Sequence, residues 1–203
     1  MSFPHTRYEN SLRKKGYQLI AGLDEAGKGA WAGPLVAGSV ILAPEVKLTG
    51  LKESKLLSPS QRKQLYLEIT KTAVCWSVGV VSEKIIDRIG ITAANHLAME
   101  KAVKNLTVQP DYLLIDYVKL RGVKIPYQAL INGDEMIASI AAASVIAKVT
   151  RDCIMVAAHE EYPKFDFHIH KGYGTNRHHE LIIRHGICDL HRRSFSPIKH
   201  LSR

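Results

Sequence analysis

The chain has 203 residues and a formal net charge of +9, because 28 lysines and arginines stand against 19 aspartates and glutamates. That length can bury the core of one ordinary domain, and the three cysteines lack Cys-x-x-Cys spacing, so the sequence indicates neither a disulfide framework nor a thiolate zinc site. The N-terminus has no apolar signal-peptide core, and the longest apolar run, residues 138–147, is too short to span a bilayer.

The basic balance favours a polyanionic partner, and nucleic acid is the leading candidate. We therefore expect a soluble, cytoplasmic protein without membrane association. Residues 1–17 are polar and basic, and we interpret them as a lead-in segment before a single domain over residues 18–203.

The first predicted strand is the apolar run 19–23, which ends at two adjacent acids, Asp24 and Glu25. Gly27, Lys28 and Gly29 follow at once. The glycines let the backbone approach a ligand closely, and Lys28 supplies a charge suited to phosphate. A solvated turn with a glycine bend would have the same composition, so these residues alone leave both interpretations open.

The next segments alternate between predicted strands and helices. Apolar and branched residues over 35–43 and 75–81 predict strands, and the short glycine-rich connection predicts that the first two strands are antiparallel. A helix is predicted from the Ser58 cap and Pro59 to residue 72, and another over 92–105.

A second apolar run, residues 112–116, also ends in an acid, Asp116. The predicted strand 127–131 leads to Asp134, at the mouth of a helix that begins over 138–147 and is apolar on nearly all sides. Because ligands gather at the carboxyl ends of strands in open α/β sheets, we expect these distant acids to meet in one crevice.

The composition becomes basic and aromatic after residue 162, with helices predicted over 176–185 and 189–193. The ten histidines have neither cysteine partners nor a helical His-x-x-x-His pattern, so we do not expect a zinc site. Tyr173 on its own would be interpreted as an ordinary packing aromatic.

Four carboxylates are candidates for metal binding: Asp24, Glu25, Asp116 and Asp134. Such clusters bind Mg²⁺ or Mn²⁺, and two ions about 4 Å apart can serve in-line phosphodiester displacement. Neighbours on a strand point to opposite faces, so Asp24 is the safer ligand unless the strand ends or bulges at Glu25. Asp152 is an alternative fourth ligand, but a structural salt bridge is the favoured interpretation for it.

The motifs that carry these acids resemble, in sequence and in order, the type 2 ribonucleases H, and in particular bacterial ribonuclease HII. The matching pieces are GLDEAGKG at 22–29, AGP at 32–34, ESK at 53–55, LID at 114–116, GD at 133–134, AASVIAKVTRD at 142–152, HKGYGT at 170–175 and HRRSF at 191–195. They cover nearly the whole chain from residue 18.

The resemblance implies a ribonuclease H-like α/β fold, a mixed β-sheet flanked by helices with a helical basic C-terminal part. It implies an endonuclease that uses two Mn²⁺ or Mg²⁺ ions to hydrolyse the RNA strand of RNA/DNA hybrids. The enzyme would also cut 5′ of ribonucleotides embedded in duplex DNA, leaving a 3′-hydroxyl and a 5′-phosphate, and so act in ribonucleotide removal. We expect a monomer.

The family pattern also assigns roles to individual residues. The catalytic, metal-binding carboxylates fall on Asp24, Glu25, Asp116 and Asp134. The substrate-binding positions fall on Gly27, Lys28 and Gly29 at the ribose 2′-hydroxyl, on Ser54, Lys55, Ser144 and Lys148 at phosphates, and on Tyr173 at the following deoxyribose.

The chain departs from the family pattern at several positions. Lys28 stands where arginine is usual, which removes planar bidentate contact to phosphate. Leu56, Tyr117 and Glu135 are also unusual at their positions. Ribonuclease HIII is a competing subtype, although the lead-in is too short for its N-terminal domain; a non-catalytic RNA/DNA-binding module is the alternative from another class.

Overall fold

The computed structural model describes residues 4–120 and 123–201. Residues 1–3 of the predicted lead-in segment, and residues 121, 122, 202 and 203 of the predicted domain, lie outside the described part. Among the described residues, no helix combines the length and the apolar character needed to cross a bilayer.

Among the described residues, the structure confirms the five predicted strands and the helices predicted near residues 58–72, 92–105 and 176–185. The strands are β1 (Ile20–Ala26), β2 (Leu35–Ile41), β3 (Cys75–Val81), β4 (Tyr112–Asp116) and β5 (Tyr127–Leu130). The helices are α1 (Arg7–Lys14), α2 (Pro59–Thr72), α3 (Glu83–Ile89), α4 (Ile91–Lys104), α5 (Gly133–Met136), α6 (Ala138–Glu161), α7 (Phe167–His170), α8 (Asn176–His185) and α9 (Ser196–Leu201).

The five strands form one mixed sheet in the order β3-β2-β1-β4-β5. Strands β1, β2 and β3 pair antiparallel, whereas β4 is parallel to β1 and β5 is parallel to β4. The predicted mixed sheet is therefore confirmed. Because β1 and β4 are parallel neighbours, their carboxyl ends lie at the same edge of the sheet.

Helices cover both faces of the sheet. Helix α4 packs on one face, in a core cluster with the alternating residues Ala21 and Leu23 of β1. Helix α6 packs on the other face, where its alanine-rich first half is buried. This burial on all sides explains why the start of α6 has no polar face.

Helix α6 approaches the sheet so closely that two strand positions must be glycine. A Cβ on Gly22 would lie 2.1 Å from the Ser139 carbonyl carbon, and one on Gly38 would lie 2.3 Å from the Ala143 oxygen. A side chain at either position would push α6 away from β1 and β2. These glycines therefore set the depth of α6 beside the carboxyl end of β1.

The N-terminal segment packs onto the start of α6. Leu12 of α1 is buried with Ile140, and Glu9 accepts a hydrogen bond from the Ser139 backbone N–H at 2.9 Å. His5 pairs with Ile137 in an isolated β-bridge. Helix α1 thus supplies a buried acceptor to the first turn of α6.

The prediction of a helix over residues 189–193 is wrong. His191 instead forms an isolated β-bridge with Ala32, and the Arg192 N–H donates to the Trp31 carbonyl at 2.8 Å. These long-range hydrogen bonds use the backbone groups that a helix would need. The short helix α9 follows this segment.

Three histidines stack in the interior of the C-terminal part. The rings of His170 and His178 are 4.2 Å apart and nearly parallel, and Nε2 of His178 lies 3.1 Å from Nε2 of His191. Burial, followed by the charge of His170, lowers the pKa of His178 to about 3, and burial lowers that of His191 to about 4. All three rings pack against Phe167, so this cluster forms part of the C-terminal core.

We predict that this cluster loses stability in acid. An unfolded histidine has a pKa of about 6.5, so between pH 6.5 and 4 the unfolded chain binds more protons and the stability contribution falls as pH falls. The difference in unfolding free energy between wild type and His191→Gln should shrink by about 2 kcal/mol from pH 7 to pH 4.5. Chemical denaturation at each pH measures it, with exposed His200→Gln as the control; a constant difference for His191→Gln would contradict the prediction.

Candidate active site

Asp24 and Glu25 lie at the carboxyl end of β1 and point to opposite faces of the sheet. Asp24 is buried on the α6 face, where the Ser144 hydroxyl donates to it and the Glu25 backbone N–H donates to Oδ1 at 2.7 Å. Glu25 lies on the α4 face beside Asn95, with Lys28 Nζ 3.5 Å from its Oε1. The predicted alternation is thus present, yet both side chains border the same crevice.

Asp116 ends β4, next to β1. Its Oδ1 accepts a hydrogen bond from the Gly133 N–H at 2.7 Å, and the Asp134 N–H also donates to this carboxylate. These donors belong to the first turn of α5, which also carries the Asp134 side chain. One short helix therefore orients one acid and presents the next.

All twelve residues that the sequence analysis assigns to catalysis or substrate binding border one crevice of about 400 Å³, which we call the acidic crevice. It is lined by Asp24, Glu25, Ala26, Gly27, Lys28, Gly29, Ser54, Lys55, Asp116, Asp134, Ser144, Lys148 and Tyr173. The expected convergence of carboxylates more than a hundred positions apart is therefore observed.

Burial raises the pKa of all four acids, and neighbouring acids raise those of Asp24, Glu25 and Asp134 further. Burial, then the charge of Glu25, holds the pKa of Asp24 well above its usual range. Burial, then the charges of Asp116 and Glu53, raises the pKa of Asp134 to about 6. Burial is also the first cause of the raised pKa of Glu25 and Asp116.

Two lysines offset part of this negative charge. The charge of Lys28 lowers the pKa of Glu25, and the charge of Lys55 lowers that of Asp116, but both acids keep a raised pKa. Burial alone would lower the pKa of Lys55. The hydrogen bond to Glu53 and the nearby negative charges of Glu53, Asp134 and Asp24 outweigh burial, so the pKa of Lys55 is raised. The acidic crevice therefore has more negative charge than its own cations neutralise.

The residues of the acidic crevice fit divalent cations. Carboxylate oxygens are the ligands that Mg²⁺ and Mn²⁺ prefer, and the buried Oε2 of Glu25 has no hydrogen-bond partner within the described chain. In that part of the chain, no three of the four acids bring oxygens within 4.8 Å of one another. The acids thus surround the cavity rather than closing on a single point.

Two buried arginines, Arg151 and Arg192, support the glycine loop after β1 by hydrogen bonds to backbone carbonyls. Gly27 has φ +91°, and a Cβ there would lie 2.0 Å from Nε of Arg151. Arg151 donates to the carbonyls of Pro34 and Ala32, and Arg192 donates to those of Gly33 and Lys28. Around Gly29, in contrast, the Cβ position has no atom within 4 Å, so this part of the loop faces open space.

Arg151 and Arg192 were not singled out as site residues by the sequence analysis. Each lies within a matched motif, and each is an arginine that folding buries completely. Their partners are backbone carbonyls more than a hundred positions away, which side-chain spacing does not reveal. Arg151 could have been noticed in the sequence, because it is a charged residue on the otherwise apolar side of α6.

Tyr173 lines the acidic crevice next to α6. Lys148 Nζ and Arg151 Cζ each lie 4.9 Å from its ring centroid. Lys148 also pairs with Asp152 at 2.8 Å, so Asp152 is engaged in the salt-bridge role favoured for it, with Lys148 as its partner. Near the acids, the hydroxyls of Ser54 and Ser144 are 2.8 Å apart.

The chain is similar to known ribonucleases. The model of the family described as Ribonuclease HII matches residues 21–198. A ribonuclease HII of Dehalococcoides mccartyi is 48% identical over 199 residues, which cover 97% of this chain and 94% of the relative. A ribonuclease HII of Bacillus thuringiensis is 47% identical over 196 residues, which cover 97% of this chain and 76% of the relative. The crystal structure of ribonuclease H2 from Pyrococcus horikoshii OT3 aligns with a TM-score of 0.78 at 25% identity, covering 91% of this chain and 97% of that one.

We predict that removing the Asp134 charge stabilises the metal-free protein. Because the folded pKa of about 6 exceeds the unfolded value, ionising Asp134 costs stability above pH 6 and costs nothing below pH 4. Asp134→Asn should raise the unfolding free energy at pH 8 in chelator by about 1 kcal/mol, after allowance for solvent screening, and by much less at pH 4.

Thermal unfolding at the two pH values measures this difference. Asp189→Asn, which removes an exposed carboxylate outside the acidic crevice, is the control. Equal or lower stability of Asp134→Asn at pH 8 would contradict the electrostatic account of the crevice.

Proposed function

The chain belongs to the ribonuclease HII family and is a ribonuclease H endonuclease, and we propose that it cuts on the 5′ side of ribonucleotides embedded in duplex DNA. Family membership implies cleavage of the RNA strand of RNA/DNA hybrids. The observation that carries the finer proposal is the acidic crevice, where four carboxylates share one cavity with a glycine loop and an aromatic ring. At a single ribonucleotide the cut would leave that nucleotide at the 5′ end of the downstream strand, which would be the first step of its removal from DNA.

We propose that Asp24, Glu25, Asp116 and Asp134 hold two divalent ions, Mn²⁺ or Mg²⁺. The raised pKa values and the unpartnered Glu25 oxygen support this proposal, since bound cations would offset repulsion among the ionised acids. When bound, such ions stabilise charge on the transferring phosphate and lower the pKa of water.

The chain's own residues would position the scissile phosphate and the attacking water. In the proposed hydrolysis water attacks phosphorus, the bond from phosphorus to the 3′-oxygen breaks, and the products are a 3′-hydroxyl and a 5′-phosphate. No side chain becomes covalently attached. Lys55 and Lys148, with Ser54 and Ser144, line the acidic crevice where phosphate oxygens would bind.

Recognition of the ribonucleotide is proposed to combine two contacts. The 2′-hydroxyl is the group that distinguishes RNA from DNA at a site, and the loop of Gly27, Lys28 and Gly29 presents backbone and a half-exposed lysine to it. The flat ring of Tyr173 favours the next sugar when that sugar lacks the hydroxyl. Together they would select a junction from RNA to DNA.

A duplex with one ribonucleotide, incubated with the protein and Mg²⁺ or Mn²⁺, tests the proposal. A nick on the 5′ side of the ribonucleotide, with a 3′-hydroxyl product, is the expected result. Intact substrate at saturating protein would support a non-catalytic binding module instead. We further propose that the chain is a monomer in which residues 18–203 form one catalytic unit. Sedimentation of the same preparation tests the monomer.

We predict that Asp24→Asn lowers the cleavage rate by about 10³-fold or more, because the buried ligand at the centre of the crevice is lost. Affinity for the duplex should stay within a factor of about three, since phosphate contacts by lysines are retained. Single-turnover cleavage and fluorescence anisotropy separate the two effects. Asp189→Asn is the matched control, and an equal loss of affinity and rate for Asp24→Asn would refute the assigned role.

We predict that Tyr173→Ala lowers cleavage at a single ribonucleotide by about tenfold more than cleavage within a long hybrid, because only the former offers a deoxyribose to the ring. Tyr173→Phe keeps the ring between Lys148 and Arg151 and should stay close to wild type. Equal losses on both substrates for Tyr173→Ala would remove its role in junction recognition.

A further inference from the structure

A second cavity, of about 540 Å³, opens on the α4 face of the sheet beside the acidic crevice; we call it the side groove. It is lined among others by Lys28, Thr92, Asn95, His96, Tyr117 and Lys119. Lys28 also lines the acidic crevice, so the two cavities adjoin at this residue. A polymer that crosses the carboxylates can therefore continue into the side groove.

Tyr117 is the aromatic residue at the mouth of the side groove. It directly follows Asp116 and has φ +58°, a left-handed conformation that is uncommon for a bulky residue. Its backbone N–H donates to the Leu130 carbonyl at 2.7 Å, which fixes this conformation. Tyr117 is nevertheless 66% exposed, so its ring is held in solvent rather than buried.

The two cavities have matching features on either side of the carboxylates. In the acidic crevice, Lys148 Nζ lies 4.9 Å from the centroid of Tyr173. At the side groove, Lys28 Nζ lies 5.7 Å from the centroid of Tyr117. The chain thus has a second pair of an accessible ring and a lysine ammonium, on the α4 face of the sheet.

The charge of the side groove suits a polyanion. Among the described residues that line it, Lys28 and Lys119 are cationic and none is acidic. Asn95 connects the groove to the active site, because its side chain hydrogen-bonds to Glu25. An aromatic surface with lysines is the combination that binds the backbone and flat groups of nucleic acids.

We propose that the side groove is a second nucleic-acid subsite, in which the sugar–phosphate backbone of the substrate duplex packs a sugar against Tyr117 and places phosphates at Lys28 and Lys119. The subsite rests on the proposed function, because it extends the substrate path from the same carboxylates. The duplex would then contact two pairs of a tyrosine ring and a lysine, Tyr173 with Lys148 and Tyr117 with Lys28. Tyr117 is accordingly a substrate-positioning residue.

Binding and footprinting in an Asp24→Asn background test the subsite without cleavage. Tyr117→Asn removes the ring while suiting the left-handed backbone, and Tyr117→Phe retains the ring. Tyr117→Asn should weaken duplex binding about fivefold, whereas Tyr117→Phe should weaken it less than about twofold. Lys119→Gln should reduce the slope of log affinity against log salt concentration by about one, because one phosphate contact is lost. Lys164→Gln, at an exposed lysine outside the groove, is the charge control.

Hydroxyl-radical footprinting locates the contact. Protein with Tyr117 should protect sugars on one strand that become reactive with Tyr117→Asn, at positions distinct from those that Tyr173→Ala exposes. Unchanged affinity and an identical footprint for Tyr117→Asn would overturn the subsite. Nicking by the wild-type protein is scored separately: a nick with no Tyr117 footprint refutes only the subsite, and a Tyr117 footprint with no nick refutes only the proposed cleavage.

Discussion

The burial of several carboxylates together at one edge of the sheet is the constraint on which the site depends. Parallel pairing of β1 with β4 brings Asp24 and Asp116 to the same edge, and α5 adds Asp134. Burying like charges is costly unless donors or cations compensate them. The Ser144 hydroxyl and the Gly133 N–H supply part of this compensation, but burial and the neighbouring acids still keep the pKa values of Asp24 and Asp134 raised. We propose that divalent cations neutralise the negative charge that these donors leave uncompensated.

The alternation of side chains along β1 divides the active region between both faces of the sheet. Asp24 lies with the α6 side, next to the wall that Tyr173 forms, and Glu25 lies with the α4 side, next to Asn95. A substrate over this edge therefore meets two cavities rather than one. Lys28, where the two cavities adjoin, connects the glycine loop to the side groove.

Local patterns in the sequence were sufficient to predict the strands and the convergence of the acids, whereas the mixed sheet was implied by the resemblance to the ribonucleases H. Apolar runs that end in acids indicated both β1 and β4, and parallel pairing then placed their ends together. Contacts between distant backbone groups were not predictable in this way. Arg151 and Arg192 support the glycine loop through carbonyls, and the bonds of His191 to Ala32 replaced a predicted helix. The contact between Lys28 and the ring of Tyr117 was likewise not predictable, because it depends on the turn after β4, which the sequence alone did not define.

Calorimetric titration of the metal-free protein with Mn²⁺, at pH 6 and pH 8 in buffers of different ionisation enthalpy, tests the central claim most directly. Cations bind ionised carboxylates, and Asp134 has a pKa of about 6, so binding at pH 6 should release protons. The account predicts two ions per chain, with more protons released at pH 6 than at pH 8. Binding without proton release at pH 6, or unchanged binding when Asp24 and Asp134 are replaced by asparagine, would contradict it.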